Sequence, residues 1–261
     1  MPARPAHCRA RVTAVRALAP AILEADLALV EPPALAFDAG QWVSVPFGPK
    51  LVRAYSIAST PRTPSTITLC ADVRPDGLGS RWFRALAPGH EVELKGPLGG
   101  FVVARTETRR LLFVAEEIGI VPIRSILADL EETGPARPAT LVYQARGAAD
   151  LVYDDELRGR ARRHPGFAYH PIVSAAGGAD TAALVERLVT DVAGLVAYVA
   201  GGEATIASVR EVLMARGLER KAVSGSDSGD RAPDRRPAHR TSRGPVARWP
   251  TSPGASWSRG C

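Results

Sequence analysis

The sequence predicts an antiparallel β-barrel followed by a doubly wound α/β domain and a disordered tail. Residues 9–103 read as short β-rich or alternating segments separated by Pro, Gly and Asp, as in small antiparallel folds. After the segment TETRR, apolar strands alternate with helical patterns, which is typical of a parallel sheet. The remainder, rich in Arg, Pro and Ser, has no periodicity and few aliphatic residues. The predicted boundaries are 1–106, 107–223 and 224–261.

The first domain is predicted to contain about six strands and one short helix, which favours a Greek-key barrel. The helix follows a glycine turn in GLGSRWFRALAPG, residues 77–89, with Ser80 near its N-terminus. The candidate strands, in order, are ARVTAVRAL, ILEADLALV, QWVSVPF, AYSIAST, TITLCADV and HEVELKG.

The second domain is predicted to alternate strands and helices. LLFVA is a buried-type strand, and the helix PIRSILADLEE carries Pro122 in its first turn. A further helix is expected to begin at Asp180 or Thr181, and another to end at Gly217. The remaining segments are the strands ATLVYQA, FAYHPIVS and GLVAYVAG and the helix DDELRGRARR, with LERKAV a candidate for the start of a fifth strand.

The composition excludes several classes of protein. The formal charge of the 261 residues is +6, but residues 224–261 hold seven Arg and three Asp, which leaves +2 for the rest and argues against nucleic acid as a partner. The three cysteines are too few for an iron–sulfur cluster and lack metal-ligand spacing, so we expect no metal and a reducing, cytoplasmic location. We expect neither a signal peptide nor a membrane span.

A polar strand, RAYSIAST, is the first candidate site. Arg53 offers a planar fork for phosphate oxygens, Tyr55 an aromatic face and Ser56 a hydroxyl. Further along, the glycine turn before Ser80 allows backbone to approach closely, and the helix that follows presents free N–H groups to an anion. The alternative is an edge strand with a polar outer face.

The order of these motifs resembles the flavin domain of the ferredoxin–NADP(+) reductase family. RAYSIAS is followed by DGLGSRWFRALAPGHEVELKGPLGGF, which matches the family's phosphate-turn helix, its next strand and its Gly-Pro-x-Gly-x-Phe strand end. FDAGQWVSVPF is similar to the family's Pro-Gly-Gln strand, with Ala39 where proline is usual. The resemblance extends over about residues 9–223.

The resemblance implies FAD as the cofactor and assigns roles to individual residues. Arg53 would bind the FAD pyrophosphate, which Gly79 and Ser80 would hold from the other side. Tyr55 would pack on the isoalloxazine ring and Ser56 would form a hydrogen bond near its reactive nitrogen, so these two are the expected catalytic residues. Further cofactor-binding positions implied in this domain are Ile57, Leu69, Ala71 and Gly77.

In the same family, the first strand of the second domain ends in a Gly-Gly-Thr-Gly-Ile-x-Pro turn that receives NAD(P)H. The matching stretch here is EEIGIVP, in which Gly119, Ile120 and Pro122 fit the pattern. Glu116 and Glu117 replace glycines, and Ile118 replaces threonine. A carboxylate about 4 Å from a phosphate oxygen would oppose binding by about 4 kcal/mol at an effective dielectric near 20. Two alternatives are that the glutamates point outward or that one pairs with Arg124.

The second signature of the nicotinamide site also departs from the family. Where the family has Cys-Gly-Pro after the fourth strand, this chain has Ala200, Gly201 and Gly202, so no thiol is available near hydride transfer. The loop and the following helix N-terminus still suit a dinucleotide, with Gly201 as a binding position. Arg146 is the candidate contact for the adenosine ribose or a 2′-phosphate, although a solvated arginine is an equal alternative. The choice between NADH and NADPH stays open.

The expected function is electron transfer from NAD(P)H through FAD to a protein redox partner, such as a ferredoxin or an oxygenase component. Two alternatives remain at this stage. One is a flavin electron-transfer subunit with impaired nicotinamide binding, and the other is a non-catalytic nucleotide-binding remnant. Family members close with a fifth strand and an aromatic residue over the flavin, whereas here Trp249 and Trp257 lie in the predicted tail.

Overall fold

The structure is a computed structural model that describes residues 4–133, 137–175 and 177–227. Within these ranges an all-β region precedes a region in which strands and helices alternate, as the sequence predicts. In order, the elements are β1 (Ala6–Ala19), β2 (Ile22–Glu31), β3 (Trp42–Pro46), β4 (Val52–Ser56), β5 (Thr66–Asp72), α1 (Leu78–Arg84), β6 (Glu91–Leu98), β7 (Arg110–Glu116), α2 (Ile120–Thr133), β8 (Ala139–Ala145), α3 (Asp154–Arg163), β9 (Phe167–Val173), α4 (Gly178–Leu188), β10 (Leu195–Gly201), α5 (Glu203–Ala215) and β11 (Val223–Asp227).

The first domain is an antiparallel sheet in the order β4-β3-β6-β1-β2-β5. Its two edges meet through an antiparallel bridge between Ile57, just beyond β4, and Leu69 in β5, which closes the sheet into a barrel. Alternate side chains such as those of Ala25 and Leu27 point into the barrel core because successive strand residues face opposite sides. The helix α1 contributes the fully buried Phe83 to the same core. The barrel prediction is confirmed.

The second domain is a parallel sheet in the order β11-β10-β7-β8-β9. Residues of the central strand β7 face alternate sides. Phe113 lies in one apolar cluster with residues of α2 and α3, and Val114 lies in another with residues of α4 and α5. Helices therefore cover both faces of the sheet, which is why β7 and β8 read as continuous apolar runs. The doubly wound prediction is confirmed.

Two boundaries differ from the sequence prediction. The boundary at 223 is wrong, because β11 begins at Val223, runs to Asp227 and pairs in parallel with β10. The segment VSGSD has little β-patterning, so an edge strand of this kind depends on backbone hydrogen bonds that composition does not encode. Helix α4 begins at Gly178, two residues before the earlier of the predicted starts. The rest of the predicted tail, with Trp249 and Trp257, lies outside the described residues.

The two domains share a packed interface. One apolar cluster combines Phe101, which follows the last barrel strand, with Tyr198 of β10, whose ring lies 5.7 Å away edge-to-face. Polar groups reinforce it: Ser125 Oγ of α2 donates to the Ser59 carbonyl at 2.7 Å. The Tyr153 hydroxyl donates across the interface to the carboxylate of Glu24 at 2.5 Å, and burial raises the pKa of that tyrosine.

Candidate functional site

A cleft of about 1200 Å³ lies between the barrel edge and the carboxyl ends of the parallel strands. On the sheet side it opens where β7 meets β10, which is the point at which the strand order reverses. In doubly wound sheets this switch point is the usual place for a ligand. On the barrel side its wall includes strand β4 and the start of α1.

Strand β4 brings three predicted residues to the cleft wall. Arg53, Tyr55 and Ser56 all line it, and Arg53 Nη1 also donates to the Val52 carbonyl at 3.1 Å. The Tyr55 ring is fixed by aromatic neighbours, with ring centroids 5.5 Å from that of Trp82 and 5.7 Å from that of Phe83. These contacts leave the tyrosine a rigid part of the wall.

The start of α1 packs against this strand through a glycine. A Cβ at Gly79 would lie 2.8 Å from Tyr55 Oη and 3.3 Å from Cγ of Arg53, so a larger residue would push the helix start away. The next residue, Ser80, is buried and also lines the cleft. Strand β4 and the start of α1, whose residues were predicted from separate motifs, therefore form one surface of the cleft.

The predicted site residues divide by position. Those that line the cleft are Arg53, Tyr55, Ser56, Ala71, Gly79, Ser80, Gly119, Pro122 and Arg146. Among the described residues, those that do not line it are Ile57, Leu69, Gly77, Ile120 and Gly201. The side chains of Ile57 and Leu69 belong to the barrel core and that of Ile120 to the interdomain core, since each is apolar and fully buried.

On the sheet side, β7 leads through a short 3-10 turn, Glu117–Gly119, into α2. A Cβ at Gly119 would lie only 2.1 Å from the Ala200 carbonyl oxygen at the end of β10. The glycine thus lets the turn approach the neighbouring strand end more closely than a residue with a side chain would allow.

Glu117 occupies the centre of an ionic cluster. Its carboxylate lies 3.0 Å from Arg74 Nη2 of the barrel domain and 3.5 Å from Arg146 Nε, and it accepts the Arg146 backbone N–H at 2.9 Å. Arg74 also contacts Asp72 at 2.9 Å and Asp150 at 3.3 Å, so the cluster links the two domains beside the cleft. Burial raises the pKa of Glu117 against the opposing attraction of Arg146 and Arg74.

Glu116 points across the end of the sheet. Its Oε2 accepts the backbone N–H of Gly202, the residue that precedes α5, at 2.7 Å. Neither glutamate pairs with Arg124, so that expectation is wrong. Arg124 instead donates to Glu156 at 2.9 Å and to the Ala58 carbonyl at 3.1 Å, because α2 turns it toward α3 and the barrel.

Sequence reasoning missed several lining residues that come from distant segments: Trp42, Asp72, Gln144, Thr205, Ser226 and Asp227. Gln144 is only 1% exposed, and its amide donates to the Ser174 carbonyl at 2.5 Å. Its Oε1 is buried and has no hydrogen-bond partner among the described residues. A polar residue at the end of the apolar strand ATLVYQA was the available signal, because strand ends at a switch point face ligands.

The cleft has no evident nucleophile or metal centre in the described part of the chain. Cys70 lines it, but burial raises the pKa of the thiol to about 12, so the sulfur stays protonated. No group of three or more His, Cys, Asp or Glu within the described ranges is arranged to hold a metal ion. The length of the cleft, from the barrel edge to the strand ends, suits the binding of an extended cofactor.

The region 10–103 matches the family model of the oxidoreductase FAD-binding domain. Ferredoxin–NADP reductase B of Sorangium cellulosum is 34% identical over 171 residues, which cover 64% of this chain and 70% of that protein. The reductase component of propane 2-monooxygenase from a Gordonia species is 31% identical over 63% of this chain. The matched region spans 48% of that component, so the chain covers only about half of such a relative.

Two solved reductase structures are also similar to this chain. The Amycolatopsis cytochrome P450 reductase GcoB is similar with a TM-score of 0.75 and 27% identity, over 85% of this chain and 70% of that one. The ferredoxin–NADP(+) reductase of Plasmodium falciparum shares the fold with a TM-score of 0.75 at 17% identity, over 85% of this chain and 96% of that one. No helix in the part of the chain that the structure describes is both long and apolar enough to cross a membrane. The barrel, the switch-point cleft and these relatives together show that the chain belongs to the ferredoxin–NADP(+) reductase family of flavoproteins.

Proposed function

We propose that this protein is an FAD-dependent oxidoreductase that transfers electrons between NAD(P)H and a protein redox partner. One observation carries the proposal: a single continuous cleft is lined both by Ser56 of the barrel and by Gly119 of the dinucleotide turn. A flavin on the barrel and a nicotinamide on the sheet would therefore face each other in one space. Reaction between them requires that the two groups be held close together and correctly oriented.

The residues on the barrel side fit FAD. A strand with an arginine, an aromatic ring and a hydroxyl faces a helix start that approaches closely only because Gly79 has no side chain. Arg53 and the backbone near Ser80 would hold the pyrophosphate through charge-assisted hydrogen bonds. When bound, the flavin supplies both two-electron exchange with a nicotinamide and one-electron exchange with a protein partner.

The chain itself supplies binding and orientation. The Tyr55 ring, held by Trp82 and Phe83, would give the isoalloxazine a fixed apolar surface. The Ser56 hydroxyl would donate a hydrogen bond beside the reactive nitrogen and so favour negative charge there. Water would be excluded by the packed interface around Phe101 and Tyr198.

On the sheet side, Gly119, Pro122 and Arg146 would receive NADH or NADPH. Ala200 is buried at the end of β10, so polarisation by a thiol is absent from this position. Orientation of the nicotinamide would then depend on shape and on backbone groups of the switch point.

A second candidate function is a flavin electron-transfer subunit with impaired nicotinamide binding. It is favoured by the Glu116 carboxylate, which already accepts the Gly202 N–H at 2.7 Å. In that case the flavin would exchange electrons with protein partners on both the input and output sides.

The proposed partner is a ferredoxin or an oxygenase component, since the similar proteins are named as a ferredoxin reductase and as reductase components of oxygenases. We also propose a cytoplasmic location. The free, buried thiols of Cys8 and Cys70 support a reducing compartment.

The test uses the purified full-length chain. We expect a flavin absorbance spectrum, bleaching on anaerobic addition of NADH or NADPH, and re-oxidation by added plant-type ferredoxin. Protein without flavin that cannot be reconstituted with FAD would sink the proposal. Bleaching by dithionite and oxidation by ferredoxin, without any response to either nicotinamide, would select the second candidate.

A further inference from the structure

The carboxylate of Glu116 lies in a space bounded by three glycines, which are Gly177, Gly201 at the end of β10, and Gly202. A Cβ added at Gly201 or Gly202 would lie 2.9 or 3.2 Å from its Oε2, and one added at Gly177 would lie 3.0 Å from its Oε1. The same Oε2 accepts the N–H that precedes α5, a helix of 13 residues. The side chain thus fills a pocket that has the features of an anion site, namely glycine backbone and a helix N-terminus.

Glu117 fills the neighbouring position. Its backbone has φ +52°, the left-handed region that favours glycine, so the turn keeps glycine-type geometry while carrying a side chain. Its carboxylate contacts Arg146 through both the guanidinium and the backbone N–H. Arg146, a cation that a phosphate at this edge of the cleft could contact, is therefore already paired.

We propose that Glu116 and Glu117 are built-in occupants of the dinucleotide turn, so that NADH or NADPH binds only by displacing both carboxylates. This inference rests on the proposed function, since it concerns regulation of the same cleft. Glu116 takes the backbone donor at the start of α5, and Glu117 takes Arg146. Two carboxylates of the chain itself therefore occupy the positions that the phosphates of the dinucleotide would take.

Physical reasons make the occupation effective. A pyrophosphate and a carboxylate compete for the same Gly202 N–H, and a like charge left beside the ligand repels it. The anchoring of Glu117 by Arg74, which comes from the barrel domain, adds an interdomain contact that displacement must break. The free energy needed to displace the carboxylates is subtracted from the binding free energy of the ligand, which lowers its apparent affinity.

The experiment measures affinity in the oxidised, FAD-loaded, full-length protein by isothermal titration calorimetry. The probes are ADP-ribose, NAD⁺ and NADP⁺, so that no turnover occurs. The variants are Glu116→Gln, which keeps the shape and removes the charge, and the double variant Glu116→Gly with Glu117→Gly. The matched control is Glu93→Gln, an equal change of charge at an exposed residue of β6 that does not line the cleft.

We expect Glu116→Gln to tighten all three probes about tenfold and the double variant to tighten them a hundredfold or more, on a Coulomb estimate for charges this close. The control should match the wild type. Affinities of the double variant within twofold of the wild type would overturn the inference. So would equal gains in Glu93→Gln, because the effect would then be one of net charge.

The failure of this inference is distinguishable from that of the proposed function. FAD content is measured in parallel with electron flow to plant-type ferredoxin from protein that has been reduced with dithionite and then freed of excess dithionite by gel filtration. Neither readout involves the dinucleotide turn. A protein that carries FAD and reduces ferredoxin, but whose affinities do not change, loses only the inference. A protein without FAD loses the proposed function. The same titrations are then made on the flavin-free protein, where the order of the variants still tests the carboxylates.

Discussion

The barrel wall and the sheet wall of the cleft differ in the side chains that they present where a ligand would bind. On the barrel wall, Gly79 makes a close approach possible and the neighbouring polar side chains face the cleft. On the sheet wall, the strand end and turn present Glu116 and Glu117, whose carboxylates are engaged by Gly202, Arg74 and Arg146. The barrel wall presents the polar and aromatic groups that we propose for FAD, whereas the sheet wall presents two carboxylates that are already engaged by groups of the chain itself.

This difference teaches that a fold and its ligand site are specified by different atoms. The turn around Gly119 is required by packing, because a side chain there would collide with the Ala200 carbonyl. Glu116 and Glu117 line the cleft, so glutamates are accommodated at these two positions while the sheet keeps its strand order. Residues that only line the cleft are therefore free to vary while the architecture persists.

The largest expected effect tests the packing role of the sheet wall. Gly119→Ala places a methyl group 2.1 Å from a backbone oxygen, so we expect a loss of about 3 kcal/mol in the free energy of unfolding, at the upper end for overpacking. Gly100→Ala is the matched control, since Gly100 lines the same cleft and an added Cβ would meet nothing within 4 Å. Urea denaturation of both variants gives the answer, and equal stabilities would contradict the packing argument.

The next effect tests the barrel wall. Arg53→Ala should remove charge-assisted hydrogen bonds worth about 1.5–3 kcal/mol each and so weaken FAD retention at least tenfold. Flavin released per protein during dialysis, followed by absorbance, measures it. Arg81→Ala, on the exposed side of α1, is the control and should retain the flavin. Equal retention in both variants would mean that Arg53 does not hold the pyrophosphate.

A smaller effect separates backbone from side chain at residue 117. Glu117→Ala and Glu117→Gly lose the same ion pairs, but only glycine adopts φ +52° without a steric penalty. We expect the free energy of unfolding of the glycine variant to exceed that of the alanine variant by about 1 kcal/mol. Thermal unfolding of the pair measures the difference, and identical stabilities would show that the turn relaxes when the carboxylate is removed.

The smallest effect concerns the chain beyond the sheet edge. Truncation after Asp227 keeps every described element, so we expect the melting temperature and flavin content to stay nearly unchanged. Truncation after Val223 removes most of β11 and its pairing with β10, and should lower the melting temperature measurably. A large loss in the protein truncated after Asp227 would show that residues 228–261 contribute to the fold.

Much of the barrel wall was predictable from the sequence because its residues come in two short motifs. RAYSIAST and GLGSRWF place Arg53, Tyr55, Ser56, Gly79 and Ser80 within local segments, and all of these line the cleft. Apolar neighbours in the same motifs were less predictable. Ile57, just beyond β4, is fully buried in the barrel core, so proximity in sequence did not place it in the cleft.

The sheet wall was less predictable because its contacts join distant segments. The sequence indicates two carboxylates in a phosphate turn, but their partners Gly202 and Arg74 lie 86 and 43 positions away in the chain. A fifth strand was expected to start within LERKAV, and β11 does begin at its last residue, Val223. Its extent through VSGSD was missed, since its order comes from pairing with β10 rather than from its own composition.

The sequence by itself determined the order of the elements, the two apolar patterns that separate barrel from sheet, and the residue types offered to a cofactor. These follow from local periodicity and short motifs, which act over a few residues. Only the tertiary structure decided that Glu116 reaches the start of α5 and that Glu117 is anchored by Arg74 across the domain interface. The orientation of a buried carboxylate depends on which hydrogen-bond donors and cations folding brings near it. Burying a charge without such a partner costs free energy, so each carboxylate is oriented toward a partner that the tertiary structure supplies.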